Sequence, residues 1–158
     1  MRYMFHLVQR QRGNRLRVEV DGVTTAPAAT VWQLVSDANS YATWGPWSDG
    51  GYTREGDPAR DGAGAVRWFR YGRTKTVEEV LTAEAGRRFC YTVLSGPPVR
   101  NYLAEVTLSS VADGTHIRWS ATWDRTIGGR FVHRALVKFY PRMMRCLIDA
   151  ADDQPERP

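Results

Sequence analysis

The chain has only two cysteines, Cys90 and Cys146, which lie far apart in apolar runs. A disulfide framework of the kind that staples small secreted domains is therefore excluded, and two reduced, buried thiols are expected. Histidine is equally scarce. His6, His116 and His133 do not fall at metal-ligand spacing, and no cysteine or carboxylate cluster completes such a set, so no metal is expected. No stretch approaches the ~20 apolar residues of a membrane span. Residues 1–8 are too short for the apolar core of a secretory signal, and Gln9 and Arg10 follow at once. The phosphate-cradling glycine loop is missing too, because Gly62-Ala-Gly64 lies between extended segments rather than ahead of a helix. A nucleophile elbow built around serine is also lacking. These absences point to a cytoplasmic protein without metal or cofactor.

Aromatic surface, by contrast, is plentiful. The 158 residues include 6 Trp, 7 Tyr and 5 Phe. One domain of this length buries roughly 70% of the surface its unfolded chain exposes, so a sizeable core needs no staples. The formal net charge is +5, concentrated in an N-terminal arm (Arg2, Arg10, Arg12, Arg15, Arg17) and in the last helix. No helix-turn-helix, zinc finger or RNA-binding aromatic motif accompanies that charge. A solvated basic surface is expected rather than a nucleic-acid partner.

Residues 1–15 read as a basic arm without a period, and residues 152–158 as a disordered tail. Between them, residues 16–24 alternate apolar and polar and predict a half-buried strand. Thr25 and Pro27 open a helix carrying Val31, Trp32, Leu34 and Val35, with Thr25 as its cap. Asp37-Ala-Asn-Ser40 interrupts it, and a second short helix carries Tyr41 and Trp44. Strands follow at 50–55, 65–71, 74–83, 88–95, 102–111 and 115–123, with short links that argue for an antiparallel meander. Asp113-Gly114 is the strongest hairpin signal among them. From residue 127 to 150 the period becomes helical. Ile127, Phe131, Ala135, Phe139, Met143 and Leu147 recur every fourth residue, beside a basic stripe of Arg130, Arg134, Lys138 and Arg142. Pro141 is expected to bend that helix or weaken its middle.

The order strand, two helices, six strands, long helix resembles the helix-grip fold of the START and Bet v 1-like superfamily. Ala26-Pro-Ala-Ala-Thr-Val-Trp32, Asp37 and Trp44-Gly-Pro-Trp47 resemble the opening of polyketide cyclase/dehydrase-like proteins. Glu78-Glu-Val80, Gly86-Arg-Arg-Phe89 and Tyr91 resemble their middle hairpin, and Tyr102, Glu105-Val-Thr-Leu108 and Gly114-Thr115…Trp119 their last strands. The resemblance implies an α+β fold: a seven-stranded curved antiparallel sheet wrapped around a long C-terminal helix, with two short helices after the first strand. It also implies a cavity for a hydrophobic or aromatic small molecule. Members include both cofactor-independent cyclases or dehydratases and non-catalytic carriers of lipids or aromatic metabolites, so fold alone leaves the activity open.

Alternation places Phe89 and Tyr91, then Tyr102, then Trp119 and Trp123, on faces that meet the long helix. With Trp44, Trp47, Trp68, Phe131, Ala135 and Phe139 they are the candidate lining of the cavity. Trp44 and Trp47 either close one mouth or pack onto the sheet. Arg67 shares a strand side with Ala65 and Phe69. It is either a solvated arginine or, turned inward, a holder of a ligand carbonyl or enolate. Glu78 and Glu79 face opposite ways, so one turns inward, as an ion-pair partner or a general base. Arg67, Tyr91, Tyr102 and Glu79 form the candidate catalytic set, polarising carbonyls or shuttling protons. His116 is expected on the outer face and His133 at the surface. The basic helix stripe suggests transient contact with an anionic membrane. Either a monomer or a homodimer is compatible with the sequence.

Overall fold

The computed structural model describes residues 13–154. The basic arm, except for its last three residues, and His6 lie outside the described residues, as do residues 155–158. Within the described range, β1 (Arg15–Thr24) leads to α1 (Ala28–Ser36), a 3-10 turn (Ala38–Ser40) and α2 (Tyr41–Trp44). The strands β2 (Asp49–Arg54), β3 (Val66–Tyr71), β4 (Thr74–Glu84), β5 (Arg88–Ser95), β6 (Leu103–Val111) and β7 (Gly114–Asp124) follow, then α3 (Ile127–Asp152). They form one curved seven-stranded sheet in the order β1-β7-β6-β5-β4-β3-β2, antiparallel throughout, with α3 across its inner face. The helix-grip architecture expected from the sequence is the one observed. No described helix is long and apolar enough to cross a membrane.

Two turns set the register that matters for the interior. Tyr71 pairs with Thr74 across Gly72-Arg73, which puts Arg67 directly opposite Glu78. Val111 pairs with Gly114, so the two-residue turn is Ala112-Asp113 and Gly114 already belongs to β7. The hairpin expected at Asp113-Gly114 is thus one residue earlier. Gly114 is needed for a different reason: at φ +144° a side chain would be strained, and its Cβ would sit 1.9 Å from the Thr24 carbonyl oxygen of β1.

The long helix approaches β1 closely because Gly22 offers no side chain. A Cβ there would come within 2.6 Å of Ile148 and 3.0 Å of the Met144 sulfur. The helix runs as one element through Pro141 to Asp152, so Asp152 is not part of a free tail. Its carboxylate accepts hydrogen bonds from the Thr24 hydroxyl (2.5 Å), the Thr25 hydroxyl (2.9 Å) and the Thr25 amide (2.9 Å). Thr25 therefore does not cap α1. Pro27 occupies that position without a side-chain cap, and both threonines are spent on α3 instead.

The apolar row expected on α3 is only partly the buried one. Each step of four residues overshoots a full helical turn by about 40°, so sixteen residues, from Ile127 to Met143, turn the row by about 160°. Met143 and Leu147 are accordingly buried, while Ile127, Phe131 and Ala135 are exposed. Val132, Tyr140, Met144, Ile148 and Ala151 complete the inward face.

The Asp152 hydrogen bonds hold its carboxyl below the usual carboxylate range, despite the opposing effect of burial. A depressed folded-state pKa stabilises above the unfolded value and loses that contribution as pH falls through the folded one. Asp152→Asn is therefore expected to lower the thermal midpoint at neutral pH, with the gap to the wild type closing in strong acid. Thermal unfolding followed across pH checks this, and a gap that persists unchanged at acid pH would contradict it.

Candidate functional site

Arg67 is the centre of the interior. Ala65, Arg67 and Phe69 all face inward, and Arg67 itself has 0% exposure. A fully buried arginine needs replacements for its hydration. Its Nε donates to Glu78 Oε2 at 3.1 Å, and its Nη1 donates to the Val35 carbonyl at the end of α1, also at 3.1 Å. The guanidinium carbon lies 4.7 Å from the ring centre of Phe89, 4.8 Å from Tyr91, 5.1 Å from Phe69 and 5.2 Å from Tyr41. Such contacts attract a cation through the ring quadrupole. The remaining nitrogen, Nη2, is buried and makes no hydrogen bond of good geometry, although the Tyr41 hydroxyl interacts with the guanidinium. Burial works against the cation, but Tyr41, Glu78 and Tyr91 outweigh it and keep the guanidinium charged.

Glu78, not Glu79, is the inward carboxylate. Burial raises its pKa and Arg67 pulls the other way. Glu79 lies on the outer face, paired with Arg54 at 3.1 Å. Its candidacy as a catalytic carboxylate fails on strand parity, because its neighbour Glu78 occupies the position opposite Arg67. Trp68 fails for the same reason. It flanks Arg67 on the opposite side of β3, where Lys75 Nζ sits 4.8 Å above its ring. Phe131 and Ala135 are turned to solvent by the drift of the helical row.

Phe89, Tyr91, Tyr102, Trp119 and Trp123 do converge on the inner face. They meet rather than stand apart. The Trp119 indole donates to the Tyr91 hydroxyl at 3.1 Å, and the Tyr102 and Tyr140 hydroxyls lie 2.9 Å apart. Tyr102 stacks on Trp123 with centres 5.6 Å apart, and the Trp123 indole donates to the Gly129 carbonyl. A hollow interior requires these rings to stand apart, and in this structure they are in contact. Packing explains the arrangement: the indoles and hydroxyls of these rings each take part in at least one hydrogen bond, which offsets the cost of burying them. Burial pushes the hydroxyls of Tyr91, Tyr102 and Tyr140 well above their ordinary range, and Tyr41 up to about 12 despite Arg67.

Trp44 and Trp47 join this interior from α2 and the loop after it. Tyr41 stacks on Phe69 at 4.4 Å and also packs against Trp47 at 4.8 Å and Trp44 at 4.9 Å. Phe139 of α3 wedges between Trp47 and Tyr71. Trp44 donates to the Leu34 carbonyl, which ties the short helix α2 to the end of α1. His116 sits on the outer side beside Asp21, as expected, and both cysteines are free thiols, Cys90 buried and Cys146 half-buried.

Sequence reasoning overlooked Tyr41, Tyr140 and the Val35 carbonyl as members of the site. Tyr140 lies on the inward face of α3 with Met143, Met144 and Leu147, and a helical angle plot in place of a fixed step of four would have found it. The two-residue turn at Gly72-Arg73 would have placed Glu78 opposite Arg67.

Residues 15–153 match the family described as "Polyketide cyclase / dehydrase and lipid transport". No curated protein sequence matches the chain. Among solved structures, the protein XoxI from Bacillus cereus superposes with a TM-score of 0.69 at 19% identity, over 87% of this chain and 96% of that one. A protein from Nitrosospira multiformis gives 0.70 at 18% identity, over 89% and 99%. An uncharacterized protein from Bacillus thuringiensis gives 0.68 at 19%, over 87% and 99%. At these identities the likeness concerns the fold.

Removing Arg67 alone strands Glu78 in the interior, and the reverse change strands a cation. Arg67→Met and Glu78→Leu are each expected to cost about 3–5 kcal/mol, while the double variant recovers most of that loss. Denaturant unfolding of the four proteins reads the cycle. Additive losses would show that the pair does not act as a unit.

Proposed function

The chain belongs to the polyketide cyclase / dehydrase and lipid transport family, and from that premise we propose that it binds an apolar or aromatic small molecule whose oxygen is recognised by Arg67. The observation that carries this reading is the Nη2 group: a charged donor, fully buried, ringed by aromatic faces and without a well-placed acceptor. Buried donors are rarely left so, because each unmade bond costs free energy. A guest carbonyl, phenol or carboxylate would complete the set that Glu78 and Val35 begin. Admission of the guest requires the rings around Tyr91 to move apart, since they touch in this structure.

Two activities fit such a pocket, a cyclase or dehydratase and a carrier. The chemistry of the interior favours the carrier. A cyclisation needs a group that takes up and releases protons near neutrality. The inward phenols are held far too high for that, and Glu78, although burial raises its pKa toward neutrality, has its carboxylate engaged by Arg67 at 3.1 Å. Arg67 and the hydroxyls can orient a guest and polarise its oxygen without exchanging protons with it. A cytoplasmic location is part of the same reading.

The test uses two probes of nearly equal shape, 2-acetylnaphthalene and 2-ethylnaphthalene, with binding followed by calorimetry. The ketone is expected to bind about tenfold more tightly, near 1.4 kcal/mol, as a hydrogen bond from a charged donor allows. In the Arg67→Met/Glu78→Leu protein that preference should vanish while the hydrocarbon's affinity stays close to the wild-type value. A preference that survives the double change, or failure of the wild-type protein to bind either probe, would refute the reading.

A further inference from the structure

The helix residues turned away from the interior gather at the first turns of α3. Ile127 and Phe131 lie one turn apart on the same helix face, which makes them neighbours. They are 91% and 73% exposed. Single exposed apolar side chains are ordinary, but an adjacent pair this exposed calls for a partner. They line an open groove of about 560 Å³ at the junction of β1 and α3, together with Arg130, Arg134, His133 and Leu16. Among the described residues no acidic side chain lines it. Thr126 caps the helix by accepting from the Gly129 amide at 2.9 Å, and the Trp123 indole bonds the Gly129 carbonyl at 3.0 Å, so this end of α3 is held in place. Farther along the basic stripe, Arg142, two turns beyond Arg134, lies against the Tyr71 hydroxyl at 3.4 Å.

We propose that this groove is a docking surface for the headgroup layer of an anionic phospholipid membrane, with Ile127 and Phe131 entering the apolar boundary and Arg130 and Arg134 holding lipid phosphates. The two exposed apolar side chains distinguish this occupant from a dissolved phosphate, which would leave them in water. The uniformly basic rim selects an anionic surface over a neutral one. Interfacial attachment of a helix needs this combination, apolar residues for depth and arginines for phosphate, and the guanidinium's fork of donors suits phosphate oxygens. The surface does not depend on an interior guest, so it stands or falls separately from the Arg67 reading.

Sedimentation of the full chain with vesicles tests it. Vesicles of phosphatidylcholine mixed with phosphatidylserine should retain the protein, vesicles of phosphatidylcholine alone should not, and added salt should release it. Ile127→Ser/Phe131→Ser and Arg130→Gln/Arg134→Gln should each weaken binding to the mixed vesicles at least about tenfold, judged by interfacial partitioning. Arg87→Gln, in the exposed turn between β4 and β5, should leave it unchanged. Near-ultraviolet circular dichroism confirms that each variant keeps its fold. Equal binding to neutral vesicles, no binding to either, or binding indifferent to the four groove residues would overturn the proposal. So would a dimer in analytical ultracentrifugation that Ile127→Ser/Phe131→Ser dissociates, which would assign the groove to a second copy of the chain.

Discussion

A guanidinium with no access to water loses its hydration, and in real proteins that loss amounts to several kcal/mol per ion unless the interior replaces it. Arg67 is in that position, and much of the local structure exists around its needs. Glu78 is brought opposite by the short turn between β3 and β4, α1 ends with the Val35 carbonyl pointing at Nη1, and α2 delivers the Tyr41 ring. Phe69, Phe89 and Tyr91 supply the remaining faces from β3 and β5. The two short helices thus serve as more than a connection between the outer strands β1 and β2. Through Val35 and Tyr41 they carry a third of the shell around one cation. That shell still leaves Nη2 without a well-placed acceptor, and the functional reading follows from this one group.

Beyond Arg67 and Glu78 the inner face is polar but neutral. Tyr91, Tyr102, Tyr140, Trp119 and Trp123 present hydroxyls and indoles that satisfy one another or the backbone, and their burial keeps the phenols protonated. Such a surface can orient a guest of defined shape. It is poorly suited to moving protons. The long helix divides its roles along its length. Its C-terminal half is fixed to β1 through Gly22, Ile148 and Asp152, while its first turns present Ile127 and Phe131 outward. Interior and groove therefore lie along one helix.

The fold was legible in the sequence because its signals were redundant. Six alternating segments with short turns admit little besides an antiparallel meander, and a 26-residue helix after the last of them closes it. The inward aromatic positions of β5, β6 and β7 followed from simple alternation. The site was harder to read because each remaining decision hung on a single residue of parity. Choosing between Glu78 and Glu79, or accepting both Arg67 and Trp68 into one lining, requires the register of a hairpin and not only its existence. On the helix, a strict step of four is a good guide over two turns and misleads over five, which put Phe131 inside and left Tyr140 out. The irregularities in the β4–β5 pairing, between Val77 and Glu78 and between Val80 and Thr82, have no visible mark in the sequence.

The most direct measurement is a crystal structure of the protein soaked with 2-acetylnaphthalene. The expected result is a guest between the sheet and α3 with its carbonyl oxygen about 2.7–3.2 Å from Arg67 Nη2, and with the Tyr91 and Trp119 rings displaced to receive it. A guest seated away from Arg67, or an ordered water satisfying Nη2 while the rings stay closed, would show that the buried guanidinium is a structural element and not a recognition site.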